Sequence, residues 1–270
     1  MSSSIVCELV NNTSINNEFF ILQFVWEHKA PKAGQFFMLK PLRTSVFLPR
    51  PIGIFEYNEK TKIVKFLIAK KGRGTHELSQ LYIGEKVQLT GPAGNCWSEF
   101  FYGSHSDTQK NGVLLPENGC IALVGGSAGV APLSALVAEK HDCQFHFYAG
   151  FRQGFRGKEE EEAILGAGSK ARKIIITAED GRNAIIGKIV DFLFEPESYD
   201  LILGCGPQAM LIALKKKCES KRVPFFFSLE SRLACGVGAC LGCTIKSIHG
   251  NRRCCKDGPI FNSREIIFNE

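Results

Sequence analysis

The sequence predicts a β-barrel followed by an α/β unit, with a small cysteine-rich domain at the end. Three observations carry this reading. Up to about residue 98, short apolar runs alternate with turn signals at close spacing, the pattern of a small antiparallel barrel. From Cys120 onward, strand-like runs alternate with helical stretches, which implies a parallel sheet with helices on both faces. Beyond residue 228, three closely spaced cysteines open a compact tail. The expected domains are therefore 1–98, 119–228 and 229–270, with 99–118 as a linker or insertion.

The elements follow in order. Barrel strands are expected at 19–26, 35–40, 63–69 and 86–90, with turns at 31–34, 58–61 and 91–94 and one helical segment at 75–81. Residues 99–118 are rich in Ser, Asn and Gly and read as a surface excursion. Strands of the α/β unit are expected at 121–124, 144–149, 173–177, 200–203 and 224–229. Helices run to Lys140, around 187–193 and to Ser220. The acidic run Glu159–Glu162 reads as a solvated helix face.

Bulk properties bound the function. With 270 residues the chain holds about two domains and a small appendage. Its 44% hydrophobic and 22% charged residues are ordinary for a soluble globular protein. A net charge of +6 without a dense Lys/Arg block does not indicate nucleic-acid binding. No stretch reaches the ~18 apolar residues of a transmembrane helix, so no membrane role is expected. The start, MSSSIVCELVNN, lacks the basic and apolar regions of a signal peptide. Eleven cysteines in such a chain are expected to be thiols or metal ligands in the reducing cytoplasm.

Cys235, Cys240 and Cys243 show the spacing Cys-x4-Cys-x2-Cys, and Cys254 or Cys255 follows as a fourth thiol. This is the plant-ferredoxin arrangement for a [2Fe–2S] cluster. Gly236, Gly238 and Gly242 let the backbone fold around a cluster and aim N–H groups at its sulfurs. The competing readings are buried structural thiols or a zinc knuckle, but zinc sites usually show two close Cys pairs. In an extended segment successive side chains point opposite ways, so only one of Cys254 and Cys255 faces the cluster.

Other motifs suit phosphates. Gly125, Gly126 and Gly129 stand where a strand becomes a helix, the place of close backbone approach to a pyrophosphate. A tight packing turn explains them equally well. Arg50-Pro51-Ile52-Gly53 ends a barrel strand, and residues 70–75, with Gly74 and Thr75, make a second anion cradle. Cys205-Gly206-Pro207 lies at the carboxyl edge of the parallel sheet, where a thiol faces a nicotinamide ring or is merely buried. Glu179 and Asp180 follow the third α/β strand and suit ribose hydroxyls, favouring NAD over NADP. The six histidines are scattered and carry no assigned role.

In the order RPIG, GRGT, GGSAGVAP, CGP, SLESRLACGVGACLGC and CCKDGPIF, the chain resembles the ferredoxin–NADP reductase superfamily. Within it, the chain is most similar to the electron-transfer subunits of class 1B dihydroorotate dehydrogenases. The resemblance implies an FAD-binding barrel using Arg50, Pro51, Ile52, Gly53, Gly74 and Thr75, with the strand Leu67, Ile68 and Ala69 facing the flavin. It implies NAD binding by Gly125, Gly126, Gly129, Cys205, Gly206 and Pro207. It implies cluster ligands Cys235, Cys240, Cys243 and Cys255. Gly53, Ala69 and Ser127 depart from the family pattern; Lys70 is expected to compensate for an Arg absent at position 69.

The implied activity is electron transfer in pyrimidine biosynthesis. An FMN-containing catalytic partner oxidises dihydroorotate, and electrons reach NAD+ through [2Fe–2S] and FAD. The implied assembly is a heterotetramer of two plus two chains, and no catalytic acid or base is expected here. Leu233, Val237, Leu241, Ile260 and Phe261 are expected to anchor the partner. The alternatives are a subunit of another NAD(P)H-linked flavin/iron–sulfur enzyme, of the sulfide dehydrogenase or ferredoxin–NADP reductase type, and a zinc-stabilised binding module.

Overall fold

The computed structural model describes residues 3–43, 47–103, 112–140, 142–193 and 195–268. Its first sheet is built from β1 (Ser3–Ser14), β2 (Phe19–Val25), β3 (Phe36–Pro41), β4 (Arg50–Gly53), β5 (Glu56–Asn58), β6 (Ile63–Ala69) and β7 (Lys86–Ala93). Helix α1 (Arg73–Ser79) interrupts the series. All pairings are antiparallel, in the order β4-β3-β7-β1-β2-β6-β5. Alternate residues of β2 and β6 turn inward, so Phe20, Leu22, Phe24 and Phe66 meet Trp26 and Phe37 in one aromatic core. The Trp26–Phe37 and Phe37–Phe66 rings meet edge-on at 4.8 and 5.5 Å, each pair adding about 0.5–1.5 kcal/mol beyond burial. The sheet curls into a half-barrel in which β4 lies beside β6. Pro51 in β4 has no N–H to extend the ladder, which suits an edge strand.

Strands β8 (Phe101–Gly103) and β9 (Val113–Leu115) pair in parallel. Phe101 and Leu115 are buried with Trp97, so the flanks of 99–118 pack into the core. Residues 104–111 of that expected excursion lie outside the described residues.

The second sheet contains β10 (Cys120–Gly126), β11 (Gln144–Phe151), β12 (Lys173–Ala178), β13 (Ile185–Ile186), β14 (Leu201–Cys205) and β15 (Phe225–Ser228), all parallel. Helices α2 (Val130–Glu139) and α3 (Lys158–Leu165) cover one face, and α4 (Gln208–Lys221) covers the other. The helix expected around 187–193 is instead the short β13 and one 3-10 turn, Ile189–Phe192. Gly187 at φ +134° separates the two, a conformation no helix contains. The strand order is β13-β12-β11-β10-β14-β15, then an antiparallel strand from the tail. From β10 the chain moves outward through β11 and β12, then returns to β14 on β10's other side. The carboxyl ends of β10 and β14 therefore flank the switch point where ligands bind in open α/β sheets.

The tail holds a hairpin, β16 (Thr244–Ser247) and β17 (Gly250–Arg253), a single helical turn, α5 (Cys254–Asp257), and β18 (Ile260–Asn262). β18 joins the parallel sheet beside β15, which sends Ile260 and Phe261 into the cores on opposite faces. Barrel and sheet share one core, where Phe19, Phe55 and Leu67 meet Leu123, Leu133 and Phe147. Trp97 bridges the seam, donating from its indole N–H to the Pro132 carbonyl at 3.1 Å. Among the described residues, no helix is long and apolar enough to cross a membrane.

Candidate functional site

A cleft of about 230 Å³ opens where the half-barrel, the switch point and the tail converge. Pro51, Ile52, Gly53, Leu67, Ile68, Ala69 and Thr75 form its barrel wall. Gly129, Pro132 and Cys205 form the sheet wall, and Leu233, Cys254 and Pro259 close it from the tail. Long-range packing thus gathers residues that the sequence places in three separate groups.

Arg50 lies behind this wall. Its guanidinium crosses Gly74 so closely that any side chain at 74 would displace it. Gly74 is thereby the seat of Arg50, and the two form one basic cradle beside the turn into α1. The Thr75 hydroxyl accepts from the N–H groups of Lys71 and Gly72 at 2.9 and 3.2 Å and donates to the Gly72 carbonyl at 3.1 Å. Those bonds use its hydrogen-bonding capacity to shape the turn. Lys70 does not replace the arginine absent at position 69. Its amino group donates to the Asn16 carbonyl at 3.3 Å, whereas Lys71 reaches the cleft. Gly53 is not forced by packing, because a Cβ there would sit at an ordinary 3.7 Å from Pro132.

The switch-point glycines serve the protein's own packing. A side chain at Gly129 would run into the Cys205 carbonyl, while Gly126 presses on Pro207 and Gly125 on Val130. Of the expected dinucleotide set, Gly129 and Cys205 line the cleft, and Gly125, Gly126, Gly206 and Pro207 build the turns behind them. Ser127 holds φ +52° and donates to Glu18 at 3.5 Å, tying this turn to the barrel. Burial pushes the Cys205 thiol up, with the Glu230 charge adding to it, so the group is neutral near pH 7. It acts there as an uncharged contact.

The cysteines of the tail fall into two pairs. Cys243 and Cys255 are buried with their sulfurs 3.3 Å apart, and the Cys255 N–H points to Cys243 Sγ at 3.5 Å. The Cys240 N–H points to Cys235 Sγ at 3.4 Å, and the Gly242 N–H to Cys240 Sγ at 3.4 Å. Burial raises the Cys235 thiol, but backbone N–H groups of Cys240, Val237 and Ala239 outweigh it and bring it down to about 6. Burial and the neighbouring Cys243 push Cys255 up to about 12. Among the described residues no three His, Cys, Asp or Glu side chains converge on one point.

Cys254 and Cys255 open the helical turn α5 rather than an extended segment. Their side chains still diverge, by about 100° per residue. Cys254 turns away from the pairs, donates to the Leu229 carbonyl at 3.2 Å and lines the cleft. Arg253 fastens this turn by gripping Asp257 through its backbone N–H at 2.7 Å and its guanidinium at 3.2 Å.

Residues 230–267 match the family model for the iron-sulfur cluster binding domain of dihydroorotate dehydrogenase B. The chain is 33% identical over 263 residues to the electron transfer subunit of dihydroorotate dehydrogenase B (NAD(+)) of Clostridium acetobutylicum, covering 97% of each chain. With the corresponding subunit of Clostridium perfringens it is 34% identical over 253 residues, covering 92% of each. The chain belongs to the family of dihydroorotate dehydrogenase B electron transfer subunits. Solved structures share its fold. A NADH-dependent reduced ferredoxin-NADP oxidoreductase superposes with a TM-score of 0.78 at 20% identity, over 99% of this chain and 91% of that one. The ferredoxin reductase of carbazole 1,9a-dioxygenase gives 0.65 at 18% identity, over 84% and 69%.

For a dihydroorotate dehydrogenase B subunit, two further expectations need correction. Ile260 and Phe261 are 1% and 2% exposed and cannot anchor a partner, and Leu233 packs beside Phe36 and Met38. Val237 and Leu241 on the cysteine loop are 49% and 60% exposed. Asp180 leaves a ribose only one of its carboxylate oxygens, Oδ2. Its carboxylate accepts from the N–H groups of Gly154 and Arg182 at 2.8 and 3.1 Å, and the Gly154 bond chiefly holds it below the usual carboxylate range. Glu179 remains. Ser228, Leu229, Glu230 and Cys254 line the cleft without having been singled out as ligand-binding. The carboxyl-edge rule applied to β15 would have found Ser228.

Proposed function

We propose that this chain carries electrons from an FMN-containing dihydroorotate dehydrogenase catalytic subunit to NAD+ in pyrimidine biosynthesis. One observation carries the reading: Cys254, the chain neighbour of the paired thiol Cys255, lines the cleft shared by half-barrel and switch point. The donor set fits the implied groups. Two thiol pairs, each fed by backbone N–H groups, suit a [2Fe–2S] centre, in which each of two irons takes two terminal thiolates. This supports Cys235, Cys240, Cys243 and Cys255 as ligands over Cys254. The Arg50–Gly74 cradle suits the pyrophosphate of FAD, with Pro51, Ile52, Gly53, Leu67, Ile68, Ala69 and Thr75 shaping its flavin wall.

When bound, FAD supplies exchange between hydride and single electrons, and the cluster supplies single-electron transfer. The residues of this chain do the rest. Gly129 and Cys205, backed by Gly125, Gly126, Gly206 and Pro207, offer the nicotinamide a dry, uncharged surface at the sheet edge. Leu229, Leu233 and Pro259 keep water from the gap between tail and cleft. Val237 and Leu241 present the cluster loop to the catalytic subunit, in an assembly of two plus two chains. None of the eleven cysteines is in a disulfide, which suits the cytoplasm.

The test is a visible spectrum of anaerobically purified protein before and after NADH. Flavin and iron–sulfur bands that both bleach are the expected result. Flavin without cluster bands, persisting after iron–sulfur reconstitution, overturns the ligand assignment. A colourless, zinc-loaded protein overturns the function.

A further inference from the structure

A second groove, of about 710 Å³, lies at the opposite edge of the parallel sheet and shares no lining residue with the cleft. It runs between β5, the C-terminal end of α2, the start of β11 and the turn at 166–172. Its size falls within the range of small-molecule sites, about 300–1,000 Å³. Tyr57, Phe145 and Ala171 give it an apolar lining. The Tyr57 hydroxyl donates to the Trp26 carbonyl at 3.2 Å, which fixes that ring in place.

Three cations, Lys140, Lys170 and Arg172, also line the groove. Among the described residues neither Lys170 nor Arg172 pairs with a carboxylate, and the Arg172 guanidinium donates to the Gln144 side-chain oxygen at 2.5 Å. Lys140 lies 3.9 Å from Asp142. The one carboxylate in the lining, Glu56, is paired with Lys65 at 3.0 Å. The C-terminal end of α2 carries negative partial charge, so an anion here is held by side chains alone. An aromatic and small apolar wall beside Lys170 and Arg172, which no carboxylate neutralises among the described residues, matches a flat ring that bears a phosphate.

We propose that this groove binds a nucleoside 5′-monophosphate, its base against Tyr57 and its phosphate at Lys170 and Arg172. The site is distinct from the cofactor cleft, because α2 separates them: Ala131 and Pro132 near its start line the cleft, and its last turn borders the groove.

The test is calorimetric titration of the cofactor-loaded complex of this chain and its catalytic subunit, with UMP and AMP as probes at saturating NAD+. Binding of one nucleotide per copy of this chain is expected, with a Kd below about 1 mM. In the double variant Lys170→Gln/Arg172→Gln the affinity should fall about tenfold or more, through loss of charge-assisted bonds. NADH-driven flavin bleaching should stay at the wild-type rate, which shows that the variant is folded. No saturable binding, displacement by NAD+, or unchanged affinity in the double variant overturns the site. Equal affinity for inorganic phosphate overturns the nucleoside part of the proposal.

Discussion

The switch-point turns and the cysteine loop are both rich in glycine, yet their backbone N–H groups face different partners. At the switch point, Gly126 and Gly129 are filled by Pro207 and the Cys205 carbonyl, so protein packs on protein. Around the cysteine loop, Gly236 and Gly238 pack on Met38 and Lys256, and the buried support is a small cluster, Phe36, Met38, Cys243, Cys254 and Cys255. The backbone N–H groups there point at sulfur. The first region is complete from its own atoms. The second is arranged around a group that the chain must acquire, and its order should depend on that group.

The largest test of this contrast replaces one thiol. Cys255→Ser should abolish the visible iron–sulfur bands and most bound iron. Cys254→Ser, one residue away, should keep both, as iron and sulfide assays would show. Equal loss in the two variants would erase the distinction between paired and unpaired thiols. Next, Gly129→Ala should cost about 1–3 kcal/mol by overpacking against Cys205, measured by urea unfolding. Gly53→Ala, with room beside Pro132, should stay within about 0.5 kcal/mol.

The cradle lies between these extremes. Gly74→Ala should weaken flavin binding about tenfold, by displacing Arg50 from its seat, with little change in stability. Flavin fluorescence on dilution reads this directly.

The last effect is electrostatic. The Arg253 guanidinium, with its backbone N–H, holds Asp257 below the usual carboxylate range. A depressed folded-state pKa contributes stability above the unfolded value of about 3.9 that is lost as pH falls through the folded one. Asp257→Asn should therefore lower the melting temperature of the protein by a few degrees at pH 7, and the gap should close at acid pH below that unfolded value. A gap independent of pH would mean that Asp257 acts through shape and not charge.

Much of this was legible locally. Aromatic alternation marked the barrel strands, although β1 escaped notice because its side chains bury only weakly. The strand–helix rhythm after Cys120 marked the parallel sheet, and the Cys-x4-Cys-x2-Cys spacing marked the cluster loop. Local pattern failed at 187–193, where a few apolar residues fit a helix as well as the 3-10 turn that forms. It also failed at Ile260 and Phe261, which resemble exposed anchors until β18 is seen beside β15.

The sequence by itself determined the residue types at the site and the order of the domains, because strand period, turn glycines and thiol spacing act over a few residues. Tertiary structure alone shows where neighbours part: Cys255 pairs with Cys243 while Cys254 lines the cleft, and Lys71 reaches the cleft while Lys70 does not line it. The reason is physical. The side chains of adjacent residues point in different directions, and the direction facing the site is set by segments distant in the chain, such as Pro132 packed beside Gly53 and Asn262 paired with Phe226.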